Sequence, residues 1–404
     1  MASESRIGIA GIGVTCPLGD TPEASWDRLV AGQGAVGRMA FEGLPDIAAA
    51  QVTSDVSQVL TRLQQVGTER VSQMALGAVR KALADARIDA WPDPERVGLY
   101  LGTGMGGAAT MDAGFAALHA GGRIPPLTVP AGMVNGASAV VAIHADIRGP
   151  VLTYAVACAS GSVAMAEAAH ALRRGEIDIA ICGGVEAPLA RGTVAAWQAL
   201  RTLAPPAEAD VAHSCRPFAA DRAGLVLGEG AVFFVLRREA DLPAAPRAWF
   251  AGAAVRCDAL HLTNPQRRGQ VSTLKAALAA TGLAPSDIGY CNAHGTATAA
   301  GDPVECEALR EVWGDDAARL RVSSTKAAHG HLLGAGGALE AALTVMALQR
   351  QTLPATLGVR VLDPRCAGLA HVLGEAQRAP DLRHAISNSF AFGGTNAALV
   401  FSRA

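Results

Sequence analysis

The chain has 404 residues, half of them hydrophobic and 17% charged, with a formal net charge of −2 at pH 7. That composition excludes a disordered chain, gives no overall pull toward nucleic acid, and suits two domains or one large α/β unit. Its apolar runs are too short to span a bilayer, so no membrane role is expected.

The eight cysteines, at 16, 158, 182, 215, 257, 291, 306 and 366, form no C-x-x-C pair and no disulfide or zinc framework. Nothing in Met1 to Arg6 reads as a signal peptide, so reduced thiols and a cytoplasmic location are expected.

Arg6 to Thr15 reads as a buried strand, and Thr21-Pro22 as the start of a helix carrying Trp26, Leu29 and Val30. Residues 33 to 68 read as loops with short elements. Arg70 to Ala86 has a helical apolar stripe of Val71, Met74, Ala75, Ala78, Val79 and Leu83. Val97 to Gly102 is the next strand. Its continuation, Gly102 to Gly107, has the spacing of a dinucleotide fingerprint. Pro125-Pro126 stand where the acidic strand end should be. The glycines are therefore expected to let backbone pass close to other chain or to substrate. A nicotinamide oxidoreductase is the disfavoured rival from another class.

Val151 to Ala157 reads as a buried strand and Ser162 to Arg174 as a helix, with Cys158 at the turn between them. A helix N-terminus favours thiolate, so Cys158 is a candidate nucleophile; the bland reading is a small buried hydrophobe. Strands follow at Ile177–Gly183 and Gly230–Leu236, with a connection between halves over Asp241–Arg247. The second half alternates helix Thr273–Thr281, strand Ile288–Asn292, helix Pro303–Val312, strand Leu320–Ser323, helix Ala335–Gln349 and strands His384–Ser389 and Asn396–Ser402. That alternation implies βαβ units and mostly parallel sheets.

Three Gly-rich turns follow strands of this half: Asn292-Ala-His294-Gly-Thr296-Ala-Thr298, Lys326-Ala-Ala-His329-Gly-His331, and Asn388-Ser-Phe-Ala391-Phe392-Gly-Gly-Thr-Asn396. Sites in α/β sheets form beyond the carboxyl ends of strands. A metal chelate by His329 and His331 is disfavoured, because no further ligand stands at metal spacing.

These turns and Ala157-Cys158-Ala-Ser-Gly, in this order, resemble the elongating, synthase II type of β-ketoacyl-acyl-carrier-protein synthase, within the thiolase-like superfamily. The resemblance implies an α/β thiolase-like fold, two similar βαβ-rich halves in a layered αβαβα architecture, divided as 1–245 and 246–404. It implies a decarboxylating Claisen condensation in fatty acid or related polyketide biosynthesis. Cys158 would carry the acyl group and His294 and His331 would stabilise the enolate of a malonyl thioester. Backbone N–H groups of Cys158 and Phe392 would form the oxyanion hole, with Ala391 beside the gate. Lys326 and Glu340 match the family's buried pair, Asp302 a structural position with a helix cap as its plain reading, and Thr296 and Thr298 the pantetheine-binding hydroxyls. Met105, Met133 and Leu225 match acyl-pocket positions, and Arg267 and Arg268 offer a carrier-docking pair.

The partner implied is acyl carrier protein, which brings the substrates on its phosphopantetheine arm; no other cofactor and no metal are implied. A homodimer, or a heterodimer with a related subunit, is expected. His329 replaces a family Thr, Ala391 a Gly and Leu225 a Phe. These departures keep open a synthase of a specialised polyketide or polyene pathway, working with a chain-length-factor partner.

Overall fold

The computed structural model describes residues 5–404; Met1 to Glu4, part of the N-terminal stretch considered above, lie outside it. Its strands are β1 (Ile7–Thr15), β2 (Val36–Met39), β3 (Ile47–Ala50), β4 (Val97–Gly102), β5 (Val151–Tyr154), β6 (Ile179–Glu186), β7 (Leu227–Gly228) and β8 (Gly230–Arg238). The second half adds β9 (Trp249–Cys257), β10 (Ile288–Asn292), β11 (Arg321–Ser323), β12 (Thr352–Leu353), β13 (Ala370–His371), β14 (Gln377–Arg378), β15 (His384–Phe390) and β16 (Thr395–Ser402). The helices are α1 (Pro22–Val30), α2 (Arg70–Asp85), α3 (Ala108–His119), α4 (Thr128–Gly132), α5 (Gly136–Ala145), α6 (Ser160–Arg173), α7 (Arg191–Ala199), α8 (Arg267–Thr281), α9 (Gly301–Trp313), α10 (Lys326–His329) and α11 (Gly336–Arg350).

Eleven strands make one continuous sheet in the order β13-β11-β10-β15-β16-β9-β1-β8-β6-β4-β5. The two halves of that order repeat one another. β5-β4-β6-β8-β1 corresponds to β11-β10-β15-β16-β9, with the same two parallel and two antiparallel pairings. The halves join where β1 pairs with β9, Ile7 opposite Phe250.

Helices α6 and α11 form the middle layer, packed in one core with residues of both half-sheets. Small residues dominate both, so the helices approach closely, and α11 is buried all round from Gly336 to Leu348. Outside the first half-sheet lie α2 and α5; outside the second lie α8 and α9. Helix α2 sits directly on β1 because Gly13 has no side chain. A Cβ there would lie 1.9 Å from the Ala78 carbonyl oxygen. Among the described residues no helix is long and apolar enough to cross a membrane.

Several boundaries differ from the sequence expectation. The strand expected over 151–157 ends at Tyr154 and is not buried: β5 is an edge strand, and Leu152 is 45% exposed. Strand β9 went unrecognised because its Ala and Gly residues carry weak β propensity. Helix α8 begins six residues early, at Arg267, where polar residues precede the apolar stripe. The 241–247 connection falls between the halves as expected and is anchored: Arg247 lies 2.6 Å from Asp85 and 3.1 Å from Glu23.

Candidate active site

Cys158 stands in a single helical turn, Ala157–Ala159, directly before α6. Ala157 has φ +49°, a left-handed conformation that costs an L-residue about 1–2 kcal/mol. The turn is held by Ser160, whose hydroxyl accepts from the Val156 N–H at 2.9 Å. Its hydroxyl also donates toward the carbonyls of Ala157 and Thr103, at 2.7 and 3.2 Å. Cys158 is thereby aimed into a cavity of about 420 Å³, at 7% exposure.

The cavity wall brings together Cys158, His294, His331, Thr296, Thr298, Asp302, Leu225, Ala391 and Phe392. The His331 Nε2 lies 2.9 Å from the Cys158 Sγ. The two imidazoles meet edge to face, ring centroids 5.4 Å apart. One ligand-type atom from each of Cys158, His294 and His331 falls within a 4.8 Å span. These are donor types that also bind zinc. His329 is not among them, since it turns away to Thr325, 3.0 Å from its Nε2.

Burial dominates the electrostatics. It pushes the Cys158 thiol up to about 12, against the Lys326 charge and a hydrogen bond from the Phe392 backbone. The expectation of a helix-stabilised thiolate is thus corrected for the free protein: desolvation outweighs the helix end. Burial, then the Lys326 charge, hold His294 and His331 well below the ordinary imidazole range, so both are neutral.

Lys326 and Glu340 lie behind the cavity wall, 2.5 Å apart and wholly buried. Lys326 also donates to the His294 carbonyl oxygen at 2.5 Å. Burial raises the Glu340 carboxyl to about 7, with Lys326 pulling it down. Replacing Lys326 with Ala removes the charge that depresses both imidazoles and the thiol pKa. Thiolate then becomes rarer, and iodoacetamide alkylation of Cys158 at pH 8 should slow by roughly tenfold. An unchanged rate would show that Lys326 does not act on the sulfur.

Asp302 is not a helix cap. Helix α9 starts at Gly301 with Ala300 as cap, and the Asp302 carboxylate turns inward to accept from the Phe218 N–H at 2.8 Å. It also lies 3.7 Å from the Arg222 guanidinium. Thr296 and Thr298 touch through their hydroxyls, 3.1 Å apart. Ala391 adopts φ −100°, ψ 154°, which Ala tolerates as readily as Gly; the unusual angle falls on Gly393, at φ +82°. The Phe392 ring stacks on Trp197 at 6.2 Å, a partner the sequence reading missed.

Met105 and Met133 are not part of the cavity wall. Met105 packs against the cluster of Leu225 and Leu333, and Met133 is 43% exposed. Arg267 and Arg268 are exposed near the rim residues Thr263 to Pro265, and Arg267 is already paired with Glu311 at 2.6 Å.

Sequence reading also missed two buried carboxylates. Glu305 accepts from the backbone N–H groups of His294 and Gly295, both at 2.8 Å, and so fixes that turn. Glu186 occupies the glycine loop. Its oxygens accept from the N–H groups of Gly104 and Met105 at 2.6 and 2.9 Å. Gly102–Gly107 does form a strand–loop–helix anion cradle, but the anion is the protein's own carboxylate. The N–H groups of Gly104, Met105 and Gly106, which would have to face a dinucleotide phosphate, are already engaged within the protein. Glu186 ends the apolar strand β6 and Glu305 sits between Val304 and Cys306 on the buried face of α9, the one signal available for each.

His329 is fully buried, and burial lowers its pKa to about 3. Its folded pKa lies below the unfolded value of about 6.5, so unfolding takes up a proton below pH 6.5 and stability falls as pH drops. Between pH 7 and 5 this one group removes about 2 kcal/mol. In His329→Thr that part of the acid loss should disappear, read as a smaller change in unfolding free energy between the two pH values. An identical change in both proteins would refute it.

Two family models match the chain: the β-ketoacyl synthase N-terminal domain over residues 4–241 and its C-terminal domain over 247–360. Nodulation protein E of Rhizobium meliloti is 36% identical over 408 residues, covering 99% of this chain and 100% of that one. The 3-oxoacyl-[acyl-carrier-protein] synthase 2 of Coxiella burnetii is 36% identical over 413 residues, covering 98% of each. The solved ishigamide ketosynthase/chain length factor superposes with a TM-score of 0.92 at 29% identity, covering 100% of both chains. With its duplicated half-sheets and its Cys–His–His cavity, the chain belongs to the β-ketoacyl synthase family and is a condensing enzyme of thiolase-like fold.

Proposed function

We propose that the protein extends an acyl thioester on Cys158 with malonyl-acyl-carrier-protein, yielding a 3-oxoacyl-carrier product two carbons longer. The observation that carries this reading is Cys158 Sγ placed 2.9 Å from His331 Nε2, with His294 edge-on beside it at the base of one cavity. The chain divides at 1–245 and 246–404, a reading supported by the repeated strand order and the bounds of the two family models.

In the first stage the Cys158 sulfur attacks the acyl thioester carbonyl. The C–S bond to the carrier arm breaks, and the departing arm thiolate takes up the proton that Cys158 loses. The oxyanion accepts from the backbone N–H groups of Cys158 and Phe392. The second carrier arm lies along Thr296 and Thr298. Its malonyl group loses carbon dioxide, and the electron pair of that C–C bond moves into an enolate. With their protons on Nε2, His294 and His331 donate to the enolate oxygen. The enolate carbon attacks the acyl-Cys158 carbonyl, and collapse of the adduct expels the Cys158 thiolate, which is then reprotonated.

Lys326 and Glu340 hold the His294 turn. Leu225 contacts the acyl chain, Met105 backs it through the Leu225 cluster, and the exposed Met133 lines the pocket of the partner subunit in a dimer. The carrier arm is the only cofactor the reading requires, and the protein works in the cytoplasm. Arg268 is the better of the two docking arginines, because Arg267 is engaged by Glu311.

The edge strand β5 and the neighbouring exposed Leu152, Val129 and Ile143 suit a dimer interface. A second reading makes the partner a chain-length factor in a specialised pathway, supported by the likeness to the solved ishigamide ketosynthase/chain length factor. Incubation with acyl and malonyl carrier proteins, followed by the mass of Cys158 and released carbon dioxide, tests the main reading. No adduct and no carbon dioxide would overturn it. Copurification of a related, Cys-lacking subunit would support the second reading; an active homodimer would exclude it.

A further inference from the structure

Glu186 sits at the end of β6, wholly buried, and the condensation chemistry makes no use of it. Its carboxylate joins two turns directly and, through Thr103, a third. From the β4 loop it accepts the N–H groups of Gly104 and Met105 and the Thr103 hydroxyl, the last at 3.2 Å. From the turn three residues after His331 it accepts the Gly334 N–H at 2.8 Å. Thr103 in turn accepts at its carbonyl from Ser160, the residue that clasps the Cys158 turn. The turns are packed backbone to backbone: a Cβ on Gly334 would lie 2.3 Å from the Gly104 nitrogen. One carboxylate thus links the loop that carries Cys158 to the loop that carries His331, across 173 positions of sequence.

We propose that Glu186 is a positioning residue: its carboxylate, bonded at once to the Gly104–Met105 loop and to Gly334, sets the separation of Cys158 from His331. This rests on the roles given to those two residues above. Glutamine has the same shape but turns an NH₂ donor toward backbone N–H donors. At least one bond is lost and two donors oppose each other. The turns then part, and the step that needs both residues suffers. Iodoacetamide alkylation, which draws on thiolate already ionised to solvent and needs no partner at His331, does not.

The charge of Glu186 works in the opposite direction, since its negative field raises the Cys158 pKa. If the residue acted only through charge, Glu186→Gln would therefore speed thiol chemistry. If it acted only on stability, folded molecules would keep full turnover.

The test compares wild type, Glu186→Gln and a control, Glu229→Gln. Glu229 is an equally buried carboxylate that binds Arg70 at 2.6 Å and lies outside the proposed machinery. Condensation kcat and KM for malonyl carrier protein are measured beside iodoacetamide alkylation of Cys158. The expected result for folded Glu186→Gln is a kcat at least tenfold lower, KM within about twofold, and alkylation within about threefold of wild type. The control keeps its kcat per folded molecule. A Glu186→Gln kcat within twofold of wild type would overturn the proposal, as would condensation and alkylation falling in parallel. Should Glu186→Gln not fold, Thr103→Val removes one of the same bonds; at least a threefold loss of kcat supports the proposal, and unchanged turnover overturns it. Wild-type protein that fails to acylate Cys158 would instead refute the catalytic roles themselves.

Discussion

Cys158→Ala is expected to lower condensation by at least about 10³-fold while leaving malonyl decarboxylation in place. The reasoning separates two stages that share one cavity. Without Sγ there is no acyl-enzyme and no electrophile for the enolate. The two imidazoles remain, with His294 still fixed through Glu305 and the Lys326 contact to its carbonyl. Malonyl carrier protein should still lose carbon dioxide and end as acetyl carrier protein. Carbon dioxide release and product mass, measured on one sample, check both halves. Loss of decarboxylation along with condensation would mean that the sulfur supports the enolate site. Retained condensation would refute the nucleophile.

His294→Ala and His331→Ala should each lower decarboxylation by about 10²–10³-fold, or roughly 2.7–4 kcal/mol of transition-state stabilisation. The two variants should differ at the acylation step. His331 contacts the sulfur at 2.9 Å, whereas His294 meets the His331 ring and Phe390. Acylation of Cys158, followed by mass, should therefore slow in His331→Ala and stay near wild type in His294→Ala. Equal acylation rates would remove the His331–sulfur contact from the mechanism. Both rings are kept neutral by burial and by the Lys326 charge. A neutral imidazole donates an N–H to the enolate without holding the malonyl carboxylate as an ion pair. Lys326 offers the carboxylate no counter-ion either, since Glu340 already pairs with it.

Much of this site was legible as residue types in order. The Cys turn, the two His turns and the Phe392 turn each come after a strand near its expected place, although the strand before Cys158 ends at Tyr154 rather than Ala157. Other features were legible only as possibilities. Gly102–Gly107 had the spacing of an anion cradle, and it is one. The occupant, Glu186, is more than 80 positions away on another strand, and no local pattern joins the two. Asp302 reads locally as a cap because Asp-Pro favours one. Arg222 and the Phe218 N–H, both distant in sequence, draw its carboxylate inward instead.

The sequence by itself determined the alternation of strands and helices, the order of the turns that carry Cys158, His294, His331 and Phe392, and the family. These depend on short-range periodicity and on residue identity. Tertiary structure alone decided the protonation of those groups and their mutual distances. Burial raises the thiol and depresses the imidazoles, and burial is a property of the packed half-sheets around α6 and α11. The 2.9 Å contact of Cys158 with His331 arises where two repeated halves bring separate strand ends into one cavity. Side-chain carboxylates from neither catalytic turn hold those ends in register.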